Sequence, residues 1–278
     1  MLRALVLILA VILGIAGWGY ADGVADPLVR RANVQFRSWP AGAPPIRVAL
    51  ISDIHVQGPE MPPERVARLA AEVNALRPDL ILLAGDFVGD RQFATRDYPD
   101  GEIARALAGL RAPLGTWAVL GNHDHWRDGA GMRRALEAAG IPVLENGAAR
   151  VGPVTLVGIG DAHTGHADAP AAERAAAALP GPLVAFLHSP DAIPGLAPRF
   201  ALVLAGHTHC GQIVLPLVGA LAHASRYGMR YRCGIVREGE RTTVVTAGWG
   251  TSVLPMRFGA PPDWWLLTLG PVPGPPRS

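Results

Sequence analysis

Seven polar side chains in this 278-residue chain stand at the ends of short apolar runs. Asp53 and His55 follow RVALIS, Asp86 follows LILLAG, and Asn122 follows WAVLG. His188 follows LVAFL, and His207 and His209 close LVLAGHTH. A lone histidine after a strand is usually structural, but five such endings in one chain point to a shared site. Two carboxylates, four imidazoles and an amide suit Mn, Fe, Zn or Ni better than Ca or Mg. Seven groups exceed what one tetrahedral ion takes and suit two ions that share a carboxylate. Two cations about 3.5–4 Å apart are arranged for in-line displacement at phosphorus.

The runs that carry these groups have strand length and strand composition. They alternate with Ala- and Arg-rich helical stretches at 63–76 and 130–140. That alternation predicts an α/β fold with parallel strands and crossover helices. In such sheets ligands gather at the carboxyl ends of strands, so groups remote in sequence can meet. The i, i+2 spacing of Asp53/His55 and of His207/His209 turns each pair to one side of an extended segment. Further strands are expected at 153–160, 242–248 and 264–269. Segment 213–233, apolar first and then basic through Arg226, Arg230 and Arg232, breaks the rhythm. It is expected as a hairpin or covering loop, or more specifically as a lid facing lipid or an anionic substrate.

Half of the chain is apolar and its net charge is only +2, too little to imply nucleic acid. Every basic residue is Arg, which reads as a compositional bias of the source genome, so the individual arginines are not taken as phosphate forks. Cys210 and Cys233 are the two cysteines. With no sign of a disulfide framework, two free thiols are the simpler expectation. Residues 4–21 carry no charge and as a helix would span roughly 27 Å, enough for a bilayer core. An uncleaved anchor is favoured over a signal peptide cut near Gly19-x-Ala21, because the apolar stretch is long for one. The arginines at 30, 31 and 37 outnumber Arg3, which would leave the main domain in the cytoplasm. The expected organisation is therefore an anchor at 1–21, a linker at 22–45, a compact domain at 46–270 and a disordered tail at 271–278.

SDIH at 52–55, GD at 85–86, GNHD at 121–124, His188 and GHTH at 206–209 together resemble the calcineurin-like metallophosphoesterases, in order and with no core ligand missing. GHTHCGQ and GWGTSVLPMRF further resemble that family's membrane-associated bacterial branch, related to UDP-2,3-diacylglucosamine hydrolases. The resemblance implies two packed mixed β-sheets flanked by helices, and a bacterial inner-membrane location. It divides the ligands: Asp53, His55 and His209 on one ion, Asn122, His188 and His207 on the other, with Asp86 bridging. Gly206 would let the chain turn tightly into the site. The implied reaction is hydrolysis of a phosphate ester, diester or pyrophosphate by a metal-bridging hydroxide, on a lipid-linked or UDP-sugar-lipid substrate. His123 would stabilise the transition state or protonate the leaving oxygen, and Asp124 would orient His123 or support the site from behind. His125, His163, His166 and His223 are expected as solvated or core imidazoles; His163, with Asp161 close by, is the first to examine. The alternatives are a phosphodiesterase or phosphatase acting on soluble nucleotides or phosphoproteins, and a non-catalytic membrane-tethered metal-binding module.

Overall fold

The protein is described by a computed structural model covering residues 1–89 and 94–273. The main strands, in chain order, are β1 (Leu28–Phe36), β2 (Ile46–Ile51), β3 (Leu80–Ala84), β4 (Thr116–Val119), β5 (Gly147–Val151) and β6 (Val154–Ile159). They continue with β7 (Leu183–Leu187), β8 (Leu202–Ala205), β9 (Gly234–Glu238), β10 (Arg241–Val245) and β11 (Asp263–Pro271). The first sheet runs β1-β11-β2-β3-β4 and the second β9-β10-β8-β7-β6-β5. The adjacent strands β2, β3 and β4 are parallel, as are β6, β7, β8 and β10. Antiparallel pairing joins β11 to β2 and places β5 and β9 at the edges of the second sheet. Both sheets are thus mixed.

The two sheets bury their facing sides against each other. Val48, Leu50, Leu80, Leu82, Phe186, Leu202 and Leu204 share that inner core. The alternate residues Ala49, Ile51, Ile81 and Leu83 face outward, under a layer of helices. Strands buried on both faces read as continuous apolar runs, which is how LILLA and LVLA look in the sequence.

That helical layer contains α2 (Pro63–Ala75), α3 (Asp100–Leu107) and α4 (Asn122–Ala138), with α1 (Leu2–Gly23) preceding them in the chain. Val66, Leu69, Ala70 and Val73 of α2 repeat at helical spacing and are buried. The helix expected at 130–140 begins earlier, at Asn122, so the GNHD turn is itself a helix start. It is broken at Asp128, whose φ of −170° and ψ of 85° are not helical. The second sheet is covered by α5 (Ala169–Ala176) and by the segment around Tyr231.

Three expectations need correction. The stretch 22–45 is not a plain linker, because β1 pairs along nine residues with β11 from Leu28↔Asp263 to Phe36↔Pro271. Arg30 Nε lies 2.6 Å from buried Asp263, which anchors that edge. Its mixed pattern of exposed and half-buried residues hid the strand from a search for apolar runs. Cys210 and Cys233 are disulfide-bonded, with Cα atoms 4.7 Å apart. Thr208 Oγ1 donates to the Arg232 carbonyl at 2.7 Å beside them, closing segment 213–233 at its base. That segment folds back as a hairpin, Val214–Leu215 pairing with Gly219–Ala220. The expected tail begins one residue early, since Pro271 still belongs to β11; residues 274–278 lie outside the described residues.

The helix α1 is exposed along most of its length and is long and apolar enough to cross a membrane. Its last turns meet the domain. Gly19 and Gly23 are buried there, and a side chain at Gly19 would collide with Phe258.

Candidate metal centre

The turns after β2, β3, β7 and β8, and the first turn of α4, converge on one buried cluster. Asp53, His55 and His209 place one donor atom each within 4.8 Å of one another, and so do Asp86, His188 and His207. A third trio, His55, Asp86 and His123, links the two. Asp86 is central: its Oδ2 lies 3.2 Å from His188 Nε2 and 3.6 Å from His55 Nε2. Asn122 Oδ1 is 3.0 Å from His188 Nε2 and so joins the second trio. All seven residues singled out in the sequence are buried here.

The backbone bends sharply to bring them in. Asp53, His55, Asp86, His207 and His209 all have φ between +48° and +71°. Non-glycine residues rarely occupy this region, and such strain persists only where the surroundings over-determine it. Gly206 serves a different purpose from the one expected. Its φ is not in the left-handed region; instead a Cβ there would run into Ser52 Oγ and the Asp53 carboxylate. Gly85 (φ +82°) needs both freedoms, since its Cβ would sit 2.9 Å from His188 Nδ1.

The hydrogen bonds behind the cluster preset three of the four imidazoles. His55 Nδ1 lies 3.0 Å from the Val88 carbonyl and His188 Nδ1 2.8 Å from that of Ala84. His207 Nε2 lies 2.8 Å from the Ala224 carbonyl. A carbonyl only accepts, so each of these nitrogens carries a proton, and in the neutral ring the opposite nitrogen presents a lone pair to the cluster. Such a donor set fits divalent cations. His209 differs: its Nδ1 faces a donor, Arg257 Nη2, at 3.2 Å.

Asp124 accepts four backbone N–H groups, from Asp86 (2.9 Å), Phe87 (2.9 Å), Val88 (3.2 Å) and Gly121 (2.9 Å). It therefore orients the Asp86 turn directly. The amide of His123 donates to Asp86 Oδ1 at 2.9 Å. The His123 ring packs edge-on to His55 and to Trp126, each with centroids 4.9 Å away. It opens into a cavity of about 790 Å³ that also meets Asp86, Asn122, His207 and His209.

A model of the calcineurin-like phosphoesterases matches residues 46–211. This chain belongs to that family. It is 30% identical to the Escherichia coli phosphodiesterase YaeI over 91% of this chain and 93% of that protein. It is 29% identical to the Bacillus subtilis metallophosphoesterase YkuE, over 91% of this chain and 90% of the other. A Danio rerio transmembrane protein with a metallophosphoesterase domain is 28% identical over 93% of this chain, which spans 61% of that relative.

Around this metallophosphoesterase centre the remaining histidines divide. His163 stands at the cavity wall, 5.1 Å from the His207 ring and 5.6 Å from that of Trp126. His125 stacks on His166 at 3.8 Å and bonds Glu145 at 3.1 Å, away from the cluster. Asp161 is fully buried and one of its oxygens accepts from Thr164 N and Oγ1, both at 2.8 Å. His223 is exposed on the hairpin segment. Two participants escaped the sequence reading. Trp126 lines the cavity, and fully buried Arg257 also donates to the Gly250, Ala247, Ala260 and His209 carbonyls. An arginine in a Gly-rich loop carries no pattern that marks it as buried.

The electrostatics of the cluster's own side chains predict pH-sensitive metal binding. Burial raises the Asp86 pKa, but His188, His55 and His123 outweigh it and hold the carboxyl well below its usual range. Burial lowers that of His188, but Asp86 outweighs it and holds the ring protonated well above its usual range. Burial pushes Asp53 up to about 6, while it pushes His55 down to about 3 and His207 to about 4. The last two are already neutral at pH 5 and compete with nothing. The protons on His188, and on Asp53 below about pH 6, must leave before a cation binds. Affinity should therefore fall as pH drops from 7 to 5, and binding at pH 5 should release more than one proton per chain. Calorimetry in buffers of different ionisation enthalpy measures this; pH-independent affinity contradicts it.

Proposed function

We propose that this chain is a metal-dependent hydrolase of phosphate esters, diesters or pyrophosphates, acting at the head of a lipid-linked molecule such as a UDP-sugar lipid. The observation that carries the reading is the convergence of two carboxylates, four imidazoles and an amide beside His123 at the floor of one cavity. Asp53, His55 and His209 would hold one cation, Asn122, His188 and His207 the other, with Asp86 shared. When bound, such cations supply a water ionised near neutral pH and offset charge on the phosphoryl oxygens. His123 would donate to the leaving oxygen from the cavity floor. Asp124 would keep the Asp86 turn in place through its four amide bonds, and Arg257 would hold His209. The E. coli relative is a phosphodiesterase, which favours diesters. The apolar α1 and the cavity's Ile213, Leu221, Val253 and Leu254 favour an apolar portion on the substrate.

The reading includes α1 as an uncleaved anchor, supported by its docking: a cut near residue 21 would remove Gly19 from its contact with Phe258. It reverses the expected orientation. Disulfides persist in oxidising compartments, so the Cys210–Cys233 bond favours the non-cytoplasmic side.

The test is purification without added metal, elemental analysis, and a phosphoester panel with Mn²⁺ supplied. About two metals per chain and turnover of a diester are expected. No hydrolysis anywhere in the panel would leave the metal-binding module as the better reading.

A further inference from the structure

Five of the domain's exposed apolar side chains stand on two segments tied to the end of α1. Leu217, Val218 and Leu221 stand on the disulfide-closed hairpin, and Val253 and Leu254 on the neighbouring loop. Gln212 joins the two: its Nε2 donates to Ser252 O at 2.8 Å and Leu254 O at 3.1 Å, and its Oε1 accepts from Ser252 N at 2.9 Å. The hairpin also hangs from Phe258, whose carbonyl accepts from Val214 N at 2.8 Å and whose N–H donates to Gln212 O at 2.9 Å. Phe258 is where α1 lands. Trp18 packs edge-on to its ring at 5.7 Å, and Arg257 N donates to Gly19 O at 2.9 Å. The end of the anchor, the hairpin and the cavity rim therefore share one backbone seam. From Val214 to Leu217 is roughly 10 Å of extended chain, so the tip stays near the plane where the anchor emerges.

Two of the three arginines in the basic half of the segment are paired with carboxylates. Arg226 pairs with Asp191 at 3.1 Å and Arg230 with Glu238 at 2.5 Å. What the segment offers is apolar, and a contiguous exposed apolar patch marks a partner surface.

We propose that the hairpin tip and the 252–254 loop insert into the bilayer that α1 spans, and that the cavity thereby opens at the lipid–water boundary onto amphiphiles held in the membrane. The substrate clause rests on the hydrolase reading above; the insertion clause does not. Attraction to the bilayer is apolar and needs no anionic lipid.

The test uses the full chain in phosphatidylcholine vesicles. A nitrobenzoxadiazole label on Leu217→Cys should be quenched by doxyl-labelled lipid, while the same label on Glu240→Cys, at the β9–β10 turn, should not. An unquenched Leu217 label overturns insertion. So does a dimer in detergent that Leu217→Asp/Val218→Asp abolishes without any quenching, which would assign the patch to a second copy. Neither residue lines the cavity. That double variant should lose at least ten-fold in turnover of a vesicle-embedded p-nitrophenyl phosphodiester of a long-chain alcohol. It should keep turnover of soluble bis-p-nitrophenyl phosphate within two-fold. Equal losses on both substrates, or none, overturn the substrate clause. If the parent chain hydrolyses neither of these nor any phosphoester of the panel above, the hydrolase reading fails and the substrate clause with it, and the quenching still decides insertion.

Discussion

Asp86→Asn is expected to strip the centre of metal and of activity together. The substitution preserves shape, and the amide oxygen can still accept the His123 N–H that Asp86 Oδ1 now takes at 2.9 Å. What it removes is the negative charge between the trios, at the atom 3.2 Å from His188 Nε2 and 3.6 Å from His55 Nε2. Loss of a supporting partner behind a ligand already costs about 10–100-fold in metal affinity, and loss of the shared ligand should cost at least about 10²-fold. Elemental analysis after dialysis should find less than one metal per chain, with turnover falling in proportion. Two metals per chain with normal activity would remove Asp86 from the bridging position.

His123→Asn should behave in the opposite way towards metal. His123 reaches the centre only at its edge, its Nε2 lying 4.0 Å from Asp86 Oδ2, and its ring faces the cavity. Metal content should stay at the parent level. The turnover number should fall by about 10² or more, the usual contribution of a proton donor, with KM little changed. The asparagine also keeps the backbone N–H that holds Asp86. An unchanged turnover number would take His123 out of the mechanism. A loss of metal equal to that of Asp86→Asn would make it a ligand instead. Because the two substitutions move metal content and turnover differently, together they separate binding from chemistry.

The candidate site was legible because parallel strands write themselves plainly. LILLA and LVLA are apolar on both faces, and the polar residue that ends each run stands out against them. The periphery was less legible. β1 mixes polar and apolar residues irregularly on a sheet edge and reads as linker. Cys210 and Cys233 are 23 residues apart, and nothing local says that a hairpin returns one to the other. Asp124, expected either to orient His123 or to support the site from behind, accepts the amides of a turn nearly forty residues away. Its neighbour was visible in sequence; its true partners were not.

By itself the amino-acid order determined the α/β class, the identity of the seven clustered donors and the presence of an apolar N-terminal helix. Those properties follow from local pattern: periodicity, run length and the residue that ends each run. Only the tertiary structure decided which nitrogen of each imidazole faces inward, why Gly206 must lack a side chain, and where α1 meets the domain. Each of those depends on atoms from segments distant in the chain. Ala84 O sets the ring of His188, Ser52 limits Gly206, and Phe258 receives Gly19. Such contacts arise from packing, and packing leaves no local signature in the chain.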